Sequence, residues 1–248
     1  MKKNVAYLFV FLLAFSCKKD EEKIFPIEPY IEFKSLTFKT GSPIPDSLTL
    51  KFNFRDGDSD LGFTSNIVAP YNFRNYFFKS DGKIFSNSLY AVDLNTLITY
   101  RDKRLGSNDT LPKFTTPYDC TNWELFRDSR GILDTVYYQQ NLNYFNIYVD
   151  FYSLNNSGWI KFDPKSYFIY PNCSSLGFYT RSNFQIEQDV DAPFEVVYTS
   201  SKEGIFTYKM ISIGFRQIFS GKKIKLKIRI QDRALHKSNE IETSEIQL

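Results

Sequence analysis

FRDGDSDLGF, at positions 54–63, carries aspartate on three alternate positions: Asp56, Asp58 and Asp60. Carboxylates spaced in this way can point inward together from one loop, and calcium takes about 6–8 such hard oxygens. The three are candidate calcium ligands. The stretch departs from an EF-hand, because Leu61 stands at the sixth position in place of glycine and Ile67 at the twelfth in place of a bidentate glutamate. The competing reading is an acidic turn in which Asp side chains cap their own amides while Gly57 and Gly62 supply positive φ.

Catalytic chemistry finds little else to use. His236 is the one histidine of the chain, which excludes a histidine metal cluster and leaves any triad to rest on that residue. Beside Lys237 in a polar loop, it reads as an exposed, solvating side chain. H-E-x-x-H, Walker, C-x-x-C and nucleophile-elbow motifs are absent. A glycosidase needs only a carboxylate pair, so an envelope hydrolase acting on glycans is the alternative to a non-catalytic binding or structural module. Aromatic residues offer the binding chemistry. Alternation places Tyr144, Tyr148 and Tyr152 on one face near Trp159, a face able to stack on glycan rings or meet an envelope protein. The competing reading is that other parts of the chain cover these rings. Lys and Arg are scattered at a net charge of +3, so no nucleic-acid partner is expected.

Three cysteines, Cys17, Cys120 and Cys173, bear on the compartment. Lys2 and Lys3 precede an apolar run, Val5 to Phe15, too short for the roughly 20 residues of a membrane span. This is the layout of a signal peptide over 1–16. The cysteine that follows resembles the lipobox cysteine of bacterial lipoproteins, which implies that Cys17 is acylated and anchors the chain to a membrane. The competing reading is ordinary cleavage releasing a soluble protein. An odd cysteine in an exported chain needs explaining; acylation of Cys17 would leave Cys120 and Cys173 as a disulfide pair. KKDEE after Cys17 resembles the export tag of some Gram-negative lipoproteins, implying the outer membrane and its external face, with the periplasmic face as alternative.

The elements that must position these residues are strands. Leu48, Leu50, Phe52 and Phe54 alternate with Thr49, Lys51, Asn53 and Arg55. Ile224, Leu226, Ile228 and Ile230 alternate with Lys225, Lys227, Arg229 and Gln231. Phe145, Ile147, Val149 and Phe151 form a third apolar face, with Tyr148 and Asp150 expected outward. Period-two runs of this length predict half-buried antiparallel strands. Further strands are expected over 31–38, 90–100, 159–162, 205–213 and 240–246, with turns at Gly41-Ser42-Pro43, Ser80-Asp81-Gly82, 155–158 and Ser220-Gly221. Thr121 and Glu124 have capping-box spacing, which suggests one or two helical turns there. Residues 17–29 read as a charged, proline-punctuated tether, and 106–131 as a large irregular loop. An all-β domain over 30–248 follows.

IEFKSLTF and LTLKFNFRDGDSD resemble the first two strands and following loop of bacterial immunoglobulin-like modules. KIKLKIRIQDRALHKSNEIETSEIQL resembles their last two strands, with a D-x-A-x-x-x-S-N loop met by Asp232, Ala234, Ser238 and Asn239. The resemblance implies an Ig-like antiparallel β-sandwich, in which the loops after the second strand and before the last share one end. Asp232 would then approach Asp56, Asp58 and Asp60 and join the candidate metal ligands. Residues 64–200 are too many for the other strands of a sandwich of about 100 residues, so they are expected to hold a large central insertion or an elaborated sheet.

Overall fold

The computed structural model describes residues 24–41, 46–62, 73–85, 93–99, 118–162, 194–200, 202–211 and 218–248. In chain order, β1 (Tyr30–Lys39) and β2 (Ser47–Arg55) come first. There follow β3 (Asn75–Phe78), β4 (Ile84–Phe85), β5 (Tyr118–Arg127) and β6 (Leu133–Asn141). Then come β7 (Ile147–Asn155), β8 (Gly158–Lys161), β9 (Phe194–Ser200) and β10 (Glu203–Ile211). The chain closes with β11 (Lys223–Ile230), β12 (Ile241–Glu242) and β13 (Ile246–Gln247). The pairs among these described strands are all antiparallel.

Of the three sheets among the described residues, two enclose the main core. One runs β1-β2-β10-β9, and the other runs β12-β11-β7-β8, with β13 also on β11. Lettered in chain order without β3–β6, these are A-B-E-D and G-F-C-C′, the strand order of an immunoglobulin-type sandwich. Alternation is the cause. Leu48, Leu50, Phe52 and Phe54 on β2 meet Ile224, Leu226, Ile228 and Ile230 on β11 in a single buried cluster. Sealing each such side chain from water stabilises the fold by roughly 1.5–3 kcal/mol, and a one-residue slip would turn the whole row outward. Register therefore follows from burial. It places Phe52 opposite Phe206, whose rings stack at 5.1 Å.

The third sheet, β4-β3-β6-β5, lies between β2 and β7 in sequence and has its own small cores. Tyr76, Phe78, Ile98 and Tyr137 pack in one cluster, and Leu94, Leu97 and Val136 in another. β6 is buried on every residue from Val136 to Asn141, so it shows no period-two pattern. Among the described residues the insertion thus holds a four-stranded sheet whose strands span 75–141. Within the central region 64–200, β3–β6 form this sheet while β7, β8 and β9 belong to the sandwich.

Local expectations are corrected elsewhere too. Thr121 and Glu124 lie on β5, paired with β6 from Thr121 opposite Gln139 to Arg127 opposite Leu133. Tertiary strand pairing thus overrides the capping pattern and places part of the 106–131 loop in a sheet. In the stretch 90–100, residues 94–96 form a 3-10 turn in which the Asp93 side chain accepts the Asn95 N–H. The expected last strand, 240–246, is split into β12 and β13 around Thr243. The Thr243 hydroxyl replaces a ladder bond by accepting the Leu226 N–H at 3.0 Å.

Candidate metal centre

One pole of the sandwich gathers the start of β1, the end of β2, the β9–β10 turn and the end of β11. β2 stops at Arg55, and the Asp56 N–H then donates to the Lys202 carbonyl at 2.8 Å. The next amide, Gly57 N–H, donates to the Pro26 carbonyl at 2.9 Å, drawing in the segment before β1. Glycine is required there for closeness: a Cβ would stand 2.4 Å from the carbonyl oxygens of both Phe25 and Pro26. Positive φ falls instead on Ser59 (60°) and Gly62 (86°). The Arg55 guanidinium covers the Tyr30 ring at 4.5 Å and the Phe25 ring at 5.8 Å, which completes the docking of this segment.

On the other side the loop after β11 is shaped by the residues of its sequence pattern. Asp232 Oδ1 accepts the His236 N–H at 2.8 Å, and Oδ2 lies 2.9 Å from His236 Nδ1. Ser238 Oγ accepts the Ile230 N–H at 3.0 Å. Asn239 accepts the Ile31 N–H at 2.8 Å through Oδ1 and donates to the Ile31 carbonyl at 2.9 Å through Nδ2. Ala234 N–H donates to Asp60 Oδ2 at 3.1 Å, joining the two loops across 174 residues of sequence. His236 is thus more than the solvating side chain expected; the i, i+4 spacing from Asp232 was its sequence signal.

These contacts bring Asp56, Asp58, Asp60 and Asp232 together. One carboxylate oxygen from each lies within 4.8 Å of all the others. Asp56 and Asp232 are buried, Asp60 is half-buried and Asp58 is exposed. Asp56 Oδ2 accepts the Leu61 N–H at 3.0 Å, yet Asp56 Oδ1 and Asp60 Oδ1 are buried with no hydrogen-bond partner. Buried polar atoms are nearly always paired, so these oxygens are where an ion, a water or, for Asp56, a proton shared with Asp58 would act.

Electrostatics points the same way. Burial, and then the charges of Asp58 and Asp60, push the Asp56 carboxyl up to about 7, against the lowering effect of the Leu61 N–H. Asp60 is raised by burial and then by Asp232. Asp232 is raised chiefly by burial, with the His236 hydrogen bonds opposing. Two like charges about 4 Å apart repel by about 4 kcal/mol at the effective dielectric of a protein surface. A divalent cation would remove that repulsion. Oxygens about 2.3–2.6 Å from calcium stand at most about 4.6–5.2 Å apart, whereas a magnesium shell spans only about 4.2 Å. Oxygens within 4.8 Å of one another can enclose an ion of calcium's size. All the candidate donors are hard oxygens, which suits calcium better than zinc.

The aromatic residues behave differently. Tyr144 falls in a 3-10 turn before β7, out of register with the strand, and packs edge-on against Phe145 at 5.4 Å. Tyr148, expected outward, is 4% exposed. Its hydroxyl lies 3.0 Å from the carbonyl oxygens of Leu142 and Phe145, and Arg229 covers its ring at 4.7 Å. Tyr152 and Trp159 are half-buried beneath Lys227 at 5.5 Å and Lys225 at 4.5 Å. Those lysines are in turn paired with Glu240 and Glu242. This outer face is a ladder of rings and cations that satisfies itself. Cys17 and Cys173 lie outside the described residues, as does the side chain of Cys120 on β5. No model of a known protein family, no curated protein and no solved structure matches this chain.

Proposed function

We propose that the protein is a lipid-anchored cell-envelope module, non-catalytic in action, whose sandwich pole binds calcium. The observation that carries the metal reading is the gathering of four carboxylates with two buried oxygens lacking any hydrogen-bond donor. The anchor rests on the leader and Cys17. The outer membrane is the compartment that its KKDEE segment favours. A glycan or an envelope protein is the partner class for such a module.

Calcium binding would stabilise the folded chain by mass action, by about 2.7 kcal/mol at a hundredfold excess over the dissociation constant. Thermal melting of the metal-stripped protein should therefore shift upward with millimolar calcium, and less with magnesium. Asp58→Ala should remove the shift. Equal melting temperatures with and without calcium would discard the metal reading. A glycan panel run on the same preparation separates affinity without turnover from the cleavage that a hydrolase would show.

A further inference from the structure

The acidic pole is also the root of the inserted sheet. The outgoing leg starts in the Asp56–Gly62 segment itself, directly after β2. The returning leg is Asn141–Asn146, between β6 and β7. Asn141 ties the return leg to the residues just before β3: its N–H donates to the Arg74 carbonyl at 2.9 Å and its Nδ2 to the Phe73 carbonyl at 3.1 Å. The return leg is tied to the sandwich by Gln231, the residue immediately before Asp232. Gln231 N–H donates to the Asn146 carbonyl at 2.9 Å, and Nε2 reaches Asn143 Oδ1 at 3.4 Å. Its Oε1 lies 3.4 Å from the Tyr148 hydroxyl, which also contacts Leu142 and Phe145.

Asn141, Asn146 and Gln231 are all buried, so this polar junction depends on its internal partners. One loop, 231–239, therefore holds the return leg with Gln231 and faces the outgoing leg with Asp232 and Ala234. Resting on the calcium reading, we propose that the cation is a clasp fixing the inserted sheet to the sandwich. Without it, Asp232 and the aspartates of the outgoing leg repel across the root. With it, the loop is drawn onto the outgoing leg, and the Gln231 contacts hold the return leg in the same arrangement. A ligand shifts such an equilibrium only through different affinities for the two arrangements. Here the difference is built in, because only the closed root brings donors from both loops to one ion.

Hydrogen exchange of the full chain in detergent, with and without calcium, tests the clasp. Calcium should slow exchange in peptides over 142–146 on the order of tenfold, along with those over 56–61 and 232–236. Gln231→Ala should keep the calcium-induced rise in melting temperature while losing the protection at 142–146. Protection confined to 56–61 and 232–236 in the unmodified protein would overturn the clasp and leave the calcium site standing. No protection and no melting shift would overturn both. The comparison within the unmodified protein holds even if the variant does not fold.

Discussion

Asp56 carries most of the tension at this pole, because it is buried, acidic and short of one hydrogen-bond donor. Asp56→Asn should separate stability from binding. The amide removes a buried charge and supplies a donor to neighbouring carboxylates, so the cation-free variant should melt higher than the cation-free parent. The same change should abolish the calcium response, measured by titration in a melting scan. The pH dependence has a definite sign. Asp56 binds its proton more tightly folded than unfolded, with its carboxyl at about 7 instead of 3.8. Its contribution to cation-free stability is therefore fully present below about pH 4 and lost as pH rises through about 7. Urea midpoints of the stripped protein should fall between pH 5 and pH 8, and saturating calcium should reduce that slope. A flat profile would mean that the Asp56 charge is already balanced.

At the scale of elements, the pole depends on two close fits. Gly57→Ala would drive a methyl group into two backbone carbonyls at 2.4 Å. The segment before β1 must then lift away, costing about 1–3 kcal/mol, and the variant should expose 24–29 to proteases. The second fit is Thr243, which interrupts the last strand. Thr243→Val keeps the volume but leaves the buried Leu226 N–H without its acceptor, at a cost of about 1–3 kcal/mol. In a chain of this length that is about 2–4 °C of melting temperature per kcal/mol, read by calorimetry. A shift below one degree would show that β12 and β13 adjust without the hydroxyl.

For the whole molecule the anchor and the cysteines make the predictions. Cys17→Ala should move the protein from the membrane fraction to the soluble one, since stable attachment needs more than one acyl chain at about 0.8 kcal/mol per buried methylene. Incorporation of labelled fatty acid by the parent, and none by the variant, checks it. The proposed Cys120–Cys173 disulfide would tie the inserted sheet, through β5, to a segment before β9, adding about 2–4 kcal/mol. Titration of the unfolded, unreduced protein should then find neither thiol free. Two titrating thiols would dismiss the bridge.

The sequence by itself determined the strands that bury one face. Leu48 to Phe54 and Ile224 to Ile230 write their register in alternating side chains, because water rewards only one way of facing them. It also carried the four aspartates, since two recognisable strand pairs at the ends of the chain imply which loops share a pole. Tertiary structure decided what alternation cannot encode. β6 is covered on both faces, so Val136 to Asn141 show no period, and β5 is a strand because β6 pairs with it despite the helix-capping signal at Thr121. Tyr148 stands on the face that alternation calls outward, yet the turn at 142–144 and Arg229 close over it. Only the folded chain places Gln231 against Asn143 and Asn146, because contacts across some 85 residues depend on where the inserted sheet returns and leave no local pattern in the sequence.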